Sequence, residues 1–98
     1  MFVGTLTFDL LLGDVHSLKE KRSIVRPIVA ELQRKYSVCA AETGNQELHR
    51  RSEIGLAVVA ADVGHVTEVL DSCERLVSGR PEVQLLAARR RLRDDDDE

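Results

Sequence analysis

From Phe2 to Leu11 apolar and polar residues alternate, with Phe2, Leu6, Phe8 and Leu10 on one side and Val3, Thr5, Thr7 and Asp9 on the other. A period of two residues is that of a half-buried strand. After "GDVHS" the period lengthens. Leu18, Val25, Ile28, Val29 and Leu32 share one helical face, which predicts an amphipathic helix from Leu18 to Lys35. Ser17 stands where an N-cap is needed, and Glu20, three residues on, completes a capping box. Pro27 falls inside this helix and removes one backbone donor, which predicts a kink near the middle of a single rod.

The segment "YSVCAAE", 36–42, reads as a short second strand. "TGNQELHRR", 43–51, is a polar connection in which Gly44 and Asn45 can take positive φ. "SEIGLAVVAA", 52–61, is nearly continuous in apolar residues and suits a central strand. Asp62 then caps a second helix that turns Val66, Val69, Leu70, Cys73, Leu76 and Val77 inward, with Gly79 and Pro81 closing it. "EVQLLAARRRL", 82–92, forms a fourth strand, with Arg89, Arg90, Arg91 and Arg93 at its end. "DVHSL" and "DVGHV", the strings leading into the two helices, hint at an internal duplication.

Two adjacent right-handed βαβ units give an α+β fold, the ferredoxin-like split βαβ sandwich. The expected sheet is antiparallel in order 4-1-3-2, with both helices on one face and the other face open. Phe8, Leu10, Ile54, Leu56 and Val58 belong in its core.

At 98 residues this is one domain, placed at 1–93 and followed by an acidic tail at 94–98 that is expected to be disordered. The tail "DDDDE" hides the charge of the rest: the chain is formally −3, yet without those five acids it is +2. The tail is either a solvated end, an interaction segment or a screen for the arginines before it. With three aromatics and no Trp, the core must be built from Val, Leu, Ile and Ala. Cys39 and Cys73 lack metal or disulfide spacing and are expected to be reduced and buried. The first residues, interrupted by Thr5, Thr7 and Asp9, match neither a secretion signal nor a membrane span, so a cytoplasmic location is expected.

Residues 19–35 hold six basic and two acidic side chains. Lys19, Arg22 and Arg26 fall on one side of the helix, beside its apolar face. Such a stripe either neutralises phosphates or covers the edges of the core with its long stems. Lys21 falls inside the apolar arc, so its ammonium must snorkel outward or meet a carboxylate, with Asp9, Glu42 and Asp62 the candidates. Gln46, His49, Arg50 and Arg51 gather on the polar connection, where binding residues often lie. His16, His49 and His65 lack zinc spacing, and no nucleophile, phosphate-loop or dinucleotide motif is present. An Asp62/His65 pair is better explained by the cap, so neither an enzyme nor a cofactor is expected.

The strings "HSLKEKRSIVRPIV" and "VCAAETGNQELHRRSEIGLAVVAADVGHV" resemble the YlxP-like family of bacterial proteins of unknown function. The resemblance rests on Ser17-Leu18-Lys19 with Lys21-Arg22, and on Glu42, Gln46, Arg51 and Gly55, and it extends over the chain up to the acidic tail. It implies a ferredoxin-like domain. It also implies work near RNA or the ribosome, since genes of such proteins sit among those for transcription elongation and translation initiation factors and a ribosome-binding factor. Many members carry Trp where this chain has His49, so the family's pattern implies no stacking role there.

The expected function is therefore a non-enzymatic adaptor for structured RNA or the ribosome, acting through the basic helix and the 43–51 loop. The alternative is a homo-oligomeric interaction module that uses the open sheet face or an edge strand. No aromatic residue of the first strand faces the open side, which argues against base stacking of the kind common on such sheets.

Overall fold

Strand β1, Phe2–Leu12, alternates between buried and half-buried residues along its length. It lies at the centre of a computed structural model that describes residues 1–95. Helix α1 (Leu18–Tyr36), β2 (Cys39–Gly44), β3 (Arg51–Ala60), α2 (Val63–Ser78) and β4 (Val83–Asp94) follow. The four strands make one antiparallel sheet in order β2-β3-β1-β4, the expected order read from the other edge.

Gly4, Leu6, Phe8, Leu10 and Leu12 point to the helices, as do Ile54, Leu56 and Val58 of β3, and all are buried. Phe8, Leu10 and Ile54 are wholly excluded from solvent. Helix α2 packs over β1, β3 and β4, and α1 packs over β2. The approach of α2 is close enough to require glycine in β1: a Cβ on Gly4 would lie 2.4 Å from Val66 Cγ1 and 3.0 Å from Leu70 Cδ1. Among the described residues the opposite face of the sheet carries no helix.

Helix α1 runs through Pro27, whose side chain is exposed. Its start is close to the sequence expectation. Ser17 Oγ accepts from the Glu20 N–H at 3.1 Å, but the Glu20 carboxylate reaches back to the N–H of His16, one residue before the cap. Asp62 caps α2 by accepting from the Gly64 N–H at 3.1 Å. The two "DV" strings thus sit in different registers, since Asp62 is itself a cap whereas Asp14 precedes the cap by three residues.

The second strand begins later than its sequence suggests. The helix continues to Tyr36, Ser37 closes it in the left-handed region (φ 51°), and β2 starts only at Cys39. The two cysteines differ in environment. Cys73 is buried, and desolvation pushes its thiol up to about 11. Cys39, expected to be buried, is exposed, because the odd positions of β2 face the open side of the sheet. In the following turn Asn45, not Gly44, takes the positive φ (58°).

At the other edge β4 runs on through Asp94, opposite Phe2, and the Asp95 N–H donates to the Met1 carbonyl at 2.8 Å. Residues 96–98 lie outside the described residues, and with them the remainder of the acidic run. Between Asp9 and Leu10 the β1–β4 register slips by one, leaving Leu86 as the extra residue of a bulge. Among the described residues no helix is long and apolar enough to cross a membrane.

Candidate functional site

Two consecutive residues of α1 have opposite fates. Lys21 is 2% exposed, and its ammonium lies 2.9 Å from Glu42 Oε2 while donating to the Asn45 carbonyl at 2.5 Å. Ser52, also buried, donates to the same carboxylate oxygen at 2.7 Å. Of the three acids named as candidates, Glu42 is thus the partner. The arrangement follows from the helical phase, which drives Lys21 inward, and from β2, which places Glu42 beside it on the helix-facing side of the edge strand. An unpaired ammonium there would be prohibitively costly. The bond to Asn45 fastens the 45–50 turn to α1, and Gln46 Nε2 tightens that turn by donating to the Glu42 carbonyl at 3.1 Å.

Arg22, the next residue, points outward. Lys19, Arg22 and Arg26 are all exposed, and together with Ser23 and Pro27 they line one shallow depression on α1. Arg22 and Arg26 also form the rim of a groove of about 310 Å³ between α1 and the free edge of β2, with Val25, Val29 and Ala30 along its floor. None of the three cations has an acidic partner among the described residues.

The arginines of the 43–51 segment are committed elsewhere. Arg50 Nε donates to the carbonyls of Leu12 (3.3 Å) and Gly13 (2.8 Å), holding the end of β1. Arg51 lies on the open face of the sheet, where one of its nitrogens donates to both carboxylate oxygens of Asp9 at 2.7 and 2.8 Å. The Arg51 Nε is buried without a partner. Neither arginine therefore extends the α1 patch. His49 is exposed on the turn; His16 is 2.8 Å from Asp14; Asp62 is a cap and makes no pair with His65. Among the described residues no three His, Cys, Asp or Glu side chains group closely enough to hold a metal.

The remaining cations divide sharply. Lys35 and Arg80 meet Glu31, Arg89 meets Glu53, and Arg90 meets Asp71 and Glu74. Among the described residues, and apart from Arg34, the cations with neither a carboxylate nor another polar partner fall in two places: the Lys19/Arg22/Arg26 patch, and Arg91 with Arg93 on β4. Sequence reasoning registers the arginines of β4 as a cluster but not their separation. Their alternation along a strand is the signal that splits them between the two faces.

This architecture defines a ferredoxin-like α+β domain with one bare sheet face and a charged helix along one edge. Residues 3–90 match the family described as "Protein of unknown function (DUF503)", and the chain belongs to that family. It is 27% identical over 82 residues to the "Uncharacterized protein YlxP" of Bacillus subtilis (strain 168), a match covering 84% of this chain and 89% of that one. The fold is also similar to that of the de novo designed protein Foldit4, with a TM-score of 0.57 and 11% identity over 97% of this chain and 99% of that one.

Proposed function

We propose that the protein is a non-enzymatic adaptor that binds structured RNA, free or within the ribosome, through the outward face of α1. The observation that carries this reading is the convergence of Lys19, Arg22 and Arg26 on one exposed depression, with no carboxylate paired to them among the described residues. Lys19, in the first turn of α1, opposes the helix dipole by about 0.3–1 kcal/mol. Phosphates at this surface would remove that opposition. Lys21 and Glu42 act as positioning residues by holding the 45–50 turn, with Gln46 and His49 on it, against the same helix.

Three phosphate contacts on a duplex correspond to a log–log salt slope of about −2.7. Titration of a labelled RNA hairpin at low and moderate salt should give a slope near that value. Replacing Lys19, Arg22 and Arg26 together with Gln should flatten it. Hairpin affinity that is indifferent to the triple replacement would overturn the reading. Co-sedimentation with ribosomal subunits, lost in the same variant and at raised salt, is the test for the ribosomal form of the proposal.

A further inference from the structure

The second group of unpaired cations lies on the far side of the molecule from the first. Alternation along β4 sends Arg90 toward α2, where it meets Asp71 at 2.8 Å and Glu74 at 3.5 Å. Arg89, Arg91 and Arg93 therefore share the bare face, opposite Thr7, Thr5 and Val3 of β1. Two acids of that face are already occupied: Asp9 holds Arg51, and Glu53 takes Arg89 at 3.1 Å and the Thr43 hydroxyl at 2.7 Å. Arg91 and Arg93 are exposed and have no partner among the described residues. Among the described residues neither guanidinium is paired with a carboxylate, although Asp94 and Asp95 follow Arg93 directly in the chain.

Resting on the RNA reading above, we infer that this face binds a single-stranded RNA segment, distinct from the structured RNA met by α1. Arginines two residues apart on a strand stand about 6.7 Å from one another. That step is close to the distance between successive phosphates of an extended single strand, and the row runs straight along an edge rather than curving as a duplex groove does. Beside it the sheet is unusually low. Small side chains, Thr7, Cys39, Ala41, Gly55 and Ala57 among them, line an open groove of about 460 Å³, with Glu53 as its acidic member. Its centre lies two strand spacings from β4, about 10 Å, which is the reach from a phosphate to the far edge of its base.

A backbone following the arginines could therefore lay its bases over small side chains, with guanidinium planes in place of aromatic rings as stacking partners. Such binding is tolerant of sequence and driven by charge. The competing role for these arginines is to guard the long exposed edge of β4 against pairing with another strand. A guard works with either sign of charge, whereas RNA binding requires the positive one.

The experiment follows from that contrast. Arg91→Glu with Arg93→Glu is compared with the wild type, with the α1 triple Gln variant, and with a control of equal charge change, Arg34→Glu with Arg75→Glu. The probes are a labelled uridine oligomer about ten nucleotides long and the labelled hairpin. The expected result is that the β4 reversal weakens oligomer binding by about tenfold or more relative to the control and makes the salt slope shallower by about 1.4. Hairpin affinity should stay within about threefold of the control.

Oligomer affinity equal to that of the control overturns the inference. If the equality comes with loss of a wild-type dimer in sedimentation, the face serves a second copy instead. Loss of oligomer binding only in the α1 variant also overturns it while leaving the α1 reading standing. A hairpin indifferent to the α1 variant removes that reading without touching the β4 result. Should the double reversal unfold by circular dichroism, the single changes Arg91→Gln and Arg93→Gln provide the same comparison, each expected to remove about half of the slope change.

Discussion

Lys21 and Arg22 are neighbours in sequence and opposites in environment. The first is buried, bound to a carboxylate that Ser52 also holds, and joined to a turn 24 residues away. The second stands in solvent beside Lys19 and Arg26, with no acidic partner among the described residues. A lysine inside a small core is tolerable only because its partner is supplied, so its chemistry is consumed by the fold. The outward cations contribute almost nothing to folding, which leaves their charge available for a ligand. In one helix, depth divides structural cations from candidate functional ones.

The comparison breaks most visibly at Glu42. Glu42→Ala would strand the Lys21 ammonium and the Ser52 hydroxyl, and should cost about 3 kcal/mol, the lower end for a broken buried pair because Glu42 is itself partly exposed. Urea unfolding measures this directly, and a loss under about 1 kcal/mol would mean that water reaches the ammonium. Lys21→Ala, which opens a cavity and leaves the Glu42 carboxylate to Ser52 and solvent, should cost about 2 kcal/mol. Ser52→Ala removes one hydrogen bond to a charged group and should cost about 1.5 kcal/mol.

Lys21→Met tests the pair from the other side. It keeps the volume, and the Glu42 carboxylate retains Ser52 and some solvent, so stability should change by less than about 1 kcal/mol in either direction. Melting should nevertheless be accompanied by faster amide exchange in the 45–50 turn, which loses its tie to α1. The smallest effect belongs to the outward face. The triple Gln replacement of Lys19, Arg22 and Arg26 should shift stability by no more than about 0.5 kcal/mol, as surface changes usually do. A large loss there would show that the stems of these residues carry packing, and would weaken the division between the two sides of α1.

Much of this architecture is legible in the residues themselves. The two-residue period of β1, the helical spacing of Leu18 to Leu32, the caps at Ser17 and Asp62 and the stop at Gly79 each follow from local rules, and together they leave one topology. The inward position of Lys21 is legible too, since helical phase alone sets it. The end of α1 is not, because Tyr36 and Val38 are equally at home in a helix or a strand, and the left-handed Ser37 makes the choice. Nor is the face of Cys39, which follows from the odd positions of β2 meeting the open side of the sheet.

The candidate site is divided in the same way. Sequence alone gathers Lys19, Arg22 and Arg26 on one side of a helix, because only the helical repeat is needed for that. It also places Arg50 and Arg51 beside Gln46 and His49, but proximity along the chain says nothing of which face of a sheet each side chain meets. The tertiary structure sends Arg51 to Asp9 and Arg50 to the carbonyls at the end of β1. It selects Glu42 from three possible partners for Lys21, and it separates Arg91 and Arg93 from Arg90. The physical reason is common to all of these. Periodicity fixes where a side chain points within its own element, whereas its partner depends on which elements become neighbours, and only packing the whole core decides that.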